Sequence, residues 1–105
     1  MKDVLGNELR IGQRVAIPCN GQLRIGILYN CRENNSKDYK MRVGYVERLE
    51  AGTLTYEDMQ RPWLAQYATR AYVDSNTYKY YIRFADGKRR TITNRHSILG
   101  IRDED

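Results

Sequence analysis

Between residues 79 and 102 seven basic side chains, Lys79, Arg83, Lys88, Arg89, Arg90, Arg95 and Arg102, stand against a single acid, Asp86. Tyr78 immediately precedes this stretch, and Tyr80 and Tyr81 are threaded through it. Guanidinium and ammonium groups neutralise phosphates, and a phenol ring is a flat surface on which an unpaired base can stack. Basic residues interleaved with aromatics on strands are what a nucleic-acid surface needs. Lys79, Arg83, Lys88, Arg89, Arg90 and Arg95 would meet phosphates, and Tyr81 or Tyr78 would meet bases. The plainer reading is a solvated strand face in which Tyr81 packs along an arginine stem.

Other chemistries are poorly supplied. The chain has one histidine, His96, and two cysteines, Cys19 and Cys31. It has no Cys-x-x-Cys pair, Gly-rich phosphate loop or nucleophile elbow. A binding protein without metal or cofactor is expected rather than an enzyme, and His96 reads as a turn residue. The cysteines do not suit a staple: Cys19 should face Gln22 across a turn, leaving Cys31 far along the other strand. Reduced thiols and a cytoplasmic location follow. The opening MKDVLGNELR lacks an apolar signal core, and no apolar run reaches membrane-spanning length, so no membrane partner is expected.

The elements that must carry these groups are short. A chain of 105 residues is one domain with a small core. Its net charge is +5; Asp103, Glu104 and Asp105 contribute −3, leaving +8 on the rest. A basic protein favours an acidic partner. Residues 1–13 read as a lead-in arm and 103–105 as an acidic tail. A first strand over 14–19 meets Asn20-Gly21, a strong hairpin turn. Leu23, Ile25, Ile27 and Tyr29 then alternate with Arg24, Gly26 and Leu28, and Gly26 suggests a bulge. Tyr39, Met41, Val43 and Tyr45 alternate as a third strand, with Lys40 and Arg42 outward.

Residues 47–71 break this rhythm and read as an insertion. Thr55 and Asp58 have capping-box spacing, and Pro62 opens a short helix over 61–67. Met59, Trp63, Tyr67 and Ala71 share one helical face, either plugging a barrel end or offering Trp63 and Tyr67 to a protein partner. A strand begins near 71–73, and 74–77 form a turn. Tyr80, Ile82 and Phe84 then point inward, with Tyr81 and Arg83 outward. After the Asp86-Gly87 turn, Arg90 and Ile92 take one face and Arg89, Thr91 and Thr93 the other. A 3₁₀ turn at 94–97 leads to a last strand through Ile98, Leu99 and Ile101.

The run of Tyr80, Phe84, Asp86, Gly87, Ile92, Ile98 and Leu99 resembles the second half of a Tudor-type SH3-like barrel. Gly12, Val15, Ala16, Ile25 and Gly26 resemble the opening hairpin of that superfamily, which includes KOW-type modules. The resemblance implies a mostly β fold: an antiparallel SH3-like barrel of five to six strands with a short helical insertion. A Tudor reader also implies an aromatic and acidic cage for a methylated cation. Such readers commonly place an acid before the Asp-Gly pair and an aromatic after it. Here Ala85 and Lys88 stand there, so the barrel carries over and the cage does not. The opening DVLGNELRIGQRVAI also resembles small bacteriophage proteins. The expectation is a non-enzymatic module binding DNA or RNA, as monomer or homodimer. The alternative is a phage-encoded adaptor or inhibitor of a host enzyme, defence complex or transcription complex.

Overall fold

A computed structural model describes residues 1–101; Arg102 and the expected acidic tail lie outside the described residues. Asn20 (φ 50°) and Gly21 (φ 77°) make the expected turn between β1 (Arg14–Cys19) and β2 (Gln22–Glu33). Both positions take the left-handed backbone that a type I′ turn demands. Cys19 pairs with Gln22, and neither cysteine forms a disulfide.

β3 (Tyr78–Phe84), β4 (Arg89–Ile92) and β5 (Leu99–Gly100) complete a five-stranded antiparallel sheet in the order β4-β3-β2-β1-β5. The last strand returns to lie beside the first. β4 and β5 occupy opposite edges, and among the described residues no strand pairing joins them. The sheet is open and the domain mostly β as expected; among the described residues the strand pairing does not close into a ring.

One face of the sheet holds the main core: Val15, Ile17, Leu28, Tyr80, Ile82 and Phe84, covered by Leu9 and Ile98. The alternation expected for β3 is therefore correct. The lead-in arm belongs to this core. Asp3 is fully buried; its carboxylate accepts hydrogen bonds from the backbone N–H groups of Leu5, Asn7 and Gly100, tying the arm to β5. Gly26 sits in mid-strand for a different reason than a bulge. A Cβ there would stand 2.6 Å from Ile82 Cγ2 and 2.9 Å from the Arg83 carbonyl oxygen. The register shift falls instead between Leu28 and Asn30, at Tyr29.

The expected third strand does not exist. Residues 39–45 lie inside α1 (Lys37–Ala51). Ser36 caps its first turn by accepting from the Tyr39 N–H. Gly52, at φ 72°, closes its last turn in the left-handed conformation. Asp38 near the start and Arg48 near the end suit the helix dipole. Tyr39, Val43 and Val46 recur at helical spacing, and Val46 is buried. Tyr39 also donates from its hydroxyl to the Val73 carbonyl.

The helical excursion is correspondingly longer than expected. α2 (Tyr56–Met59) carries the expected capping box of Thr55 and Asp58. The expected helix over 61–67 is only a 3₁₀ turn, Pro62–Ala65. The strand expected near 71–73 is α3 (Arg70–Ser75), capped by Thr69. Leu64, Val46 and Val73 are buried here, and Arg48 holds Asp58 through two hydrogen bonds of 2.8 and 2.6 Å. Met59, Trp63 and Tyr67 are exposed, so they plug nothing. The molecule is elongated, 55 × 24 × 24 Å.

Candidate functional site

The outer face of the sheet is set by strand register. Arg83 of β3 pairs with Arg89 of β4, and Tyr81 with Thr91, so these four side chains share a face. Across β3 on the other side, Asn30 pairs with Tyr81 and Arg32 with Lys79. Lys79, Tyr81, Arg83 and Arg89 are thereby brought together on the face opposite the core. Tyr29 joins them from β2 because the register shift there carries its ring toward β3. Its ring centroid lies 6.2 Å from that of Tyr81, at an interplanar angle of 55°.

Both arginines lean over that ring. The guanidinium carbon of Arg83 stands 5.9 Å from the Tyr29 centroid, and that of Arg89 5.5 Å. Cation–π attraction of about 0.5–1 kcal/mol each at such an exposed site offsets part of their mutual repulsion. Like charges directly opposite on a sheet are nonetheless unfavourable. Among the described residues no carboxylate pairs with Lys79, Arg83 or Arg89. The arrangement offers exposed cationic donors around two tilted phenol rings, on an open sheet surface. Next to it the same face turns apolar, with Leu23 and Ile25 exposed on β2.

The other basic residues lie elsewhere. Lys88 is exposed in the β3–β4 turn, where Asp86 Oδ1 accepts from its backbone N–H. Asp86 also takes a hydrogen bond from Arg24; the turn N–H, first, and Arg24 hold its carboxyl below the usual range. Arg90 is on the opposite face, where its Nη1 donates to Cys19 Sγ at 2.7 Å. Together with Arg24, which lies 4.1 Å from the Phe84 centroid, it covers the open end of the core. Arg95 sits in a 3₁₀ turn, Arg95–Ser97, near the start of β3. His96 is exposed in the same turn, and its N–H bonds Asn94 Oδ1.

Tyr29 was not singled out from the sequence. Its place in the alternation of β2 was legible; its contact with β3 depends on a register shift that no local pattern marks. Trp63 and Tyr67 form a separate cluster on the helical arm. Arg42, expected on a strand face, lies among Trp63, Tyr67 and Tyr72, with centroids 5.2, 5.7 and 5.8 Å away. It donates to the carbonyls of Trp63 and Gln66, and Tyr67 stacks on Tyr72 at 5.2 Å.

Among the described residues no cluster of three or more His, Cys, Asp or Glu is placed to hold a metal ion. No described helix is long and apolar enough to cross a membrane. Neither a curated protein nor a solved structure shows significant similarity to the chain. A family model does, and it spans both the sheet and the helical arm: over residues 1–92 the chain belongs to the domain of unknown function DUF7205.

Proposed function

We propose that this chain is a non-enzymatic nucleic-acid-binding module of the SH3-like kind, acting in the cytoplasm. The observation that carries the reading is the unneutralised pair Arg83 and Arg89 over Tyr29, beside Tyr81. A fold that keeps two arginines opposite one another with no acid paired to them among the described residues retains a cost that a bound phosphate would remove. Tyr81, half-buried, has a face to offer a base. The SH3-like assignment is supported by the strand order, in which the final strand joins the edge of the first. The two free cysteines favour a reducing compartment.

The test is binding to labelled single-stranded and duplex oligonucleotides over a salt series. Four contacts, from Arg32, Lys79, Arg83 and Arg89, at about 0.7 per phosphate on single strands give a log–log slope of roughly −2.8. Between 50 and 200 mM salt the affinity should then fall about fiftyfold. Arg83→Glu with Arg89→Glu should abolish binding without unfolding the sheet, whereas Arg90→Gln, on the other face, should leave it largely intact. No binding at low salt, or binding that ignores the double reversal, refutes the proposal.

A second reading has its own observation: Met59, Trp63 and Tyr67 are exposed on the helical arm. Aromatic, methionine and arginine side chains are enriched at protein interfaces. In this reading the arm docks a host protein as adaptor or inhibitor. Trp63→Ala would then abolish partner binding while leaving the melting temperature of the sheet nearly unchanged.

A further inference from the structure

The lead-in arm, the end of α3, the start of β3 and the turn holding Arg95 meet around a cavity of about 220 Å³. Its walls include Lys2, Asp74, Tyr78, Tyr80 and Arg95. Tyr80 is fully buried, and its hydroxyl donates to the Lys2 carbonyl at 3.2 Å, which fixes the arm across the opening. Burial pushes the Tyr80 phenol up to about 12, so it is a neutral donor at physiological pH. The space equals the share of roughly seven liquid waters. That is below the 300–1,000 Å³ or so of a pocket for a drug-sized molecule. It suits a planar base, with a sugar and a phosphate at the mouth.

Lys2 and Asp74 are exposed at its mouth, Asp74 beside Arg70, and Arg95 is half-buried. Lys2 and Arg95 stand on its lining with Asp74, yet among the described residues none of the three forms an ion pair. Tyr78 is half-buried, and its hydroxyl makes no hydrogen bond among the described residues. Cations and a carboxylate that line one space without touching are satisfied by a ligand that is itself dipolar. Such a ligand brings an anion to Arg95 and Lys2, an N–H donor to Asp74 and a flat body to the tyrosines.

We infer that this cavity binds a single nucleotide, with its phosphate on Arg95 and Lys2 and an amino or imino edge of its base on Asp74. The inference extends the nucleic-acid reading but stands on a different surface, so either can fail alone. The nucleotide has two sources: a free mononucleotide, or the phosphorylated end of a strand that also lies on the outer face.

Titration of the whole protein with guanosine 5′-monophosphate, followed by NMR shifts, tests it. Saturable shifts should map to Tyr78, Tyr80 and Arg95. Arg95→Ala should weaken binding about ten- to a hundredfold, the range expected on losing a charge-assisted contact. Asp74→Asn should weaken guanosine monophosphate more than uridine monophosphate. A 5′-phosphorylated oligonucleotide binding more tightly than its hydroxyl-ended twin, by a margin lost in Arg95→Ala, identifies the strand end as the source. Equal binding of the two, with mononucleotide binding retained, identifies the free nucleotide. If Arg95→Ala fails to fold, Arg95→Lys and the wild-type shift map carry the test. The inference is overturned by an absence of saturable shifts, by shifts confined to the outer face, by insensitivity to Arg95, or by a free amino acid binding as well.

Discussion

Gly26→Ala changes one hydrogen to a methyl at the closest point between β2 and β3. The added carbon would lie 2.6 Å from Ile82 Cγ2, 2.9 Å from the Arg83 carbonyl oxygen and 3.0 Å from Phe84 Cδ1. Comfortable carbon contacts begin near 3.5 Å, so the overlap with Ile82 is roughly 1 Å. Neither neighbour yields easily. Ile82 is fully buried, and the carbonyl belongs to a strand in the middle of the ladder. Overpacking of this kind costs about 1–3 kcal/mol, and a backbone neighbour puts it in the upper half. The alanine recovers about 0.4–1 kcal/mol by restricting the unfolded chain. A net destabilisation of roughly 1–2.5 kcal/mol remains, which lowers the melting temperature of a domain this size by about 5–12 °C. Calorimetry or thermal circular dichroism reads the shift. Ile82→Leu, which removes the Cγ2 branch, should cost less in the alanine background than in the wild type, a coupling visible in a double-mutant cycle. An unchanged or raised melting temperature for Gly26→Ala would refute the register that sets Gly26 opposite Phe84, and with it the outer-face cluster.

Two further outcomes are expected. Gly44 lies in the interior of α1, where an added Cβ would stand 3.0 Å from Arg48 Nη1, whose guanidinium is pinned on Asp58. Gly44→Ala should therefore gain helix propensity worth up to about 1 kcal/mol more fully in an Arg48→Gln background than in the wild type, as melting temperatures in a double-mutant cycle would read, whereas a strand at 39–45 would show no such gain. Arg48, first, and then the Thr55 backbone hold the Asp58 carboxyl well below the usual carboxylate range. A lowered folded-state value contributes stability above the ordinary carboxylate pKa and loses it as pH falls toward the folded one. Acid unfolding of the helical arm should thus begin at higher pH in Arg48→Gln than in the wild type, as followed by far-ultraviolet circular dichroism.

Much of the sheet was legible because its signals are local. Asn20-Gly21 needs positive φ, Tyr80, Ile82 and Phe84 alternate, and Arg89 and Arg90 fall on opposite faces by strand period alone. The five strands of the sheet and three of the turns were therefore readable, though two further strands were expected that are helices. The helical arm was misread where two periods compete. Tyr39, Met41, Val43 and Tyr45 satisfy alternation, but Ser36 and Gly52 are helix caps fifteen residues of α1 apart, and Tyr39, Val43 and Val46 fit a helical face equally well. Within the arm, the helix expected over 61–67 is only the 3₁₀ turn Pro62–Ala65, and the left-handed backbone of Tyr67, φ 58°, turns the chain away from it.

The basic residues of 79–95 and their tyrosines are properties of the sequence, and so is the period that sorts them into two faces. Which of them act together is a property of the tertiary structure. The register shift at Tyr29 adds a ring between Arg83 and Arg89. The same sheet sends Arg90 to Cys19 on the far face, and chain crossing brings Arg95 to Lys2 across most of the sequence. Local patterns encode direction along a strand; they do not encode which strand lies alongside, because that is decided by long-range burial of the face beneath.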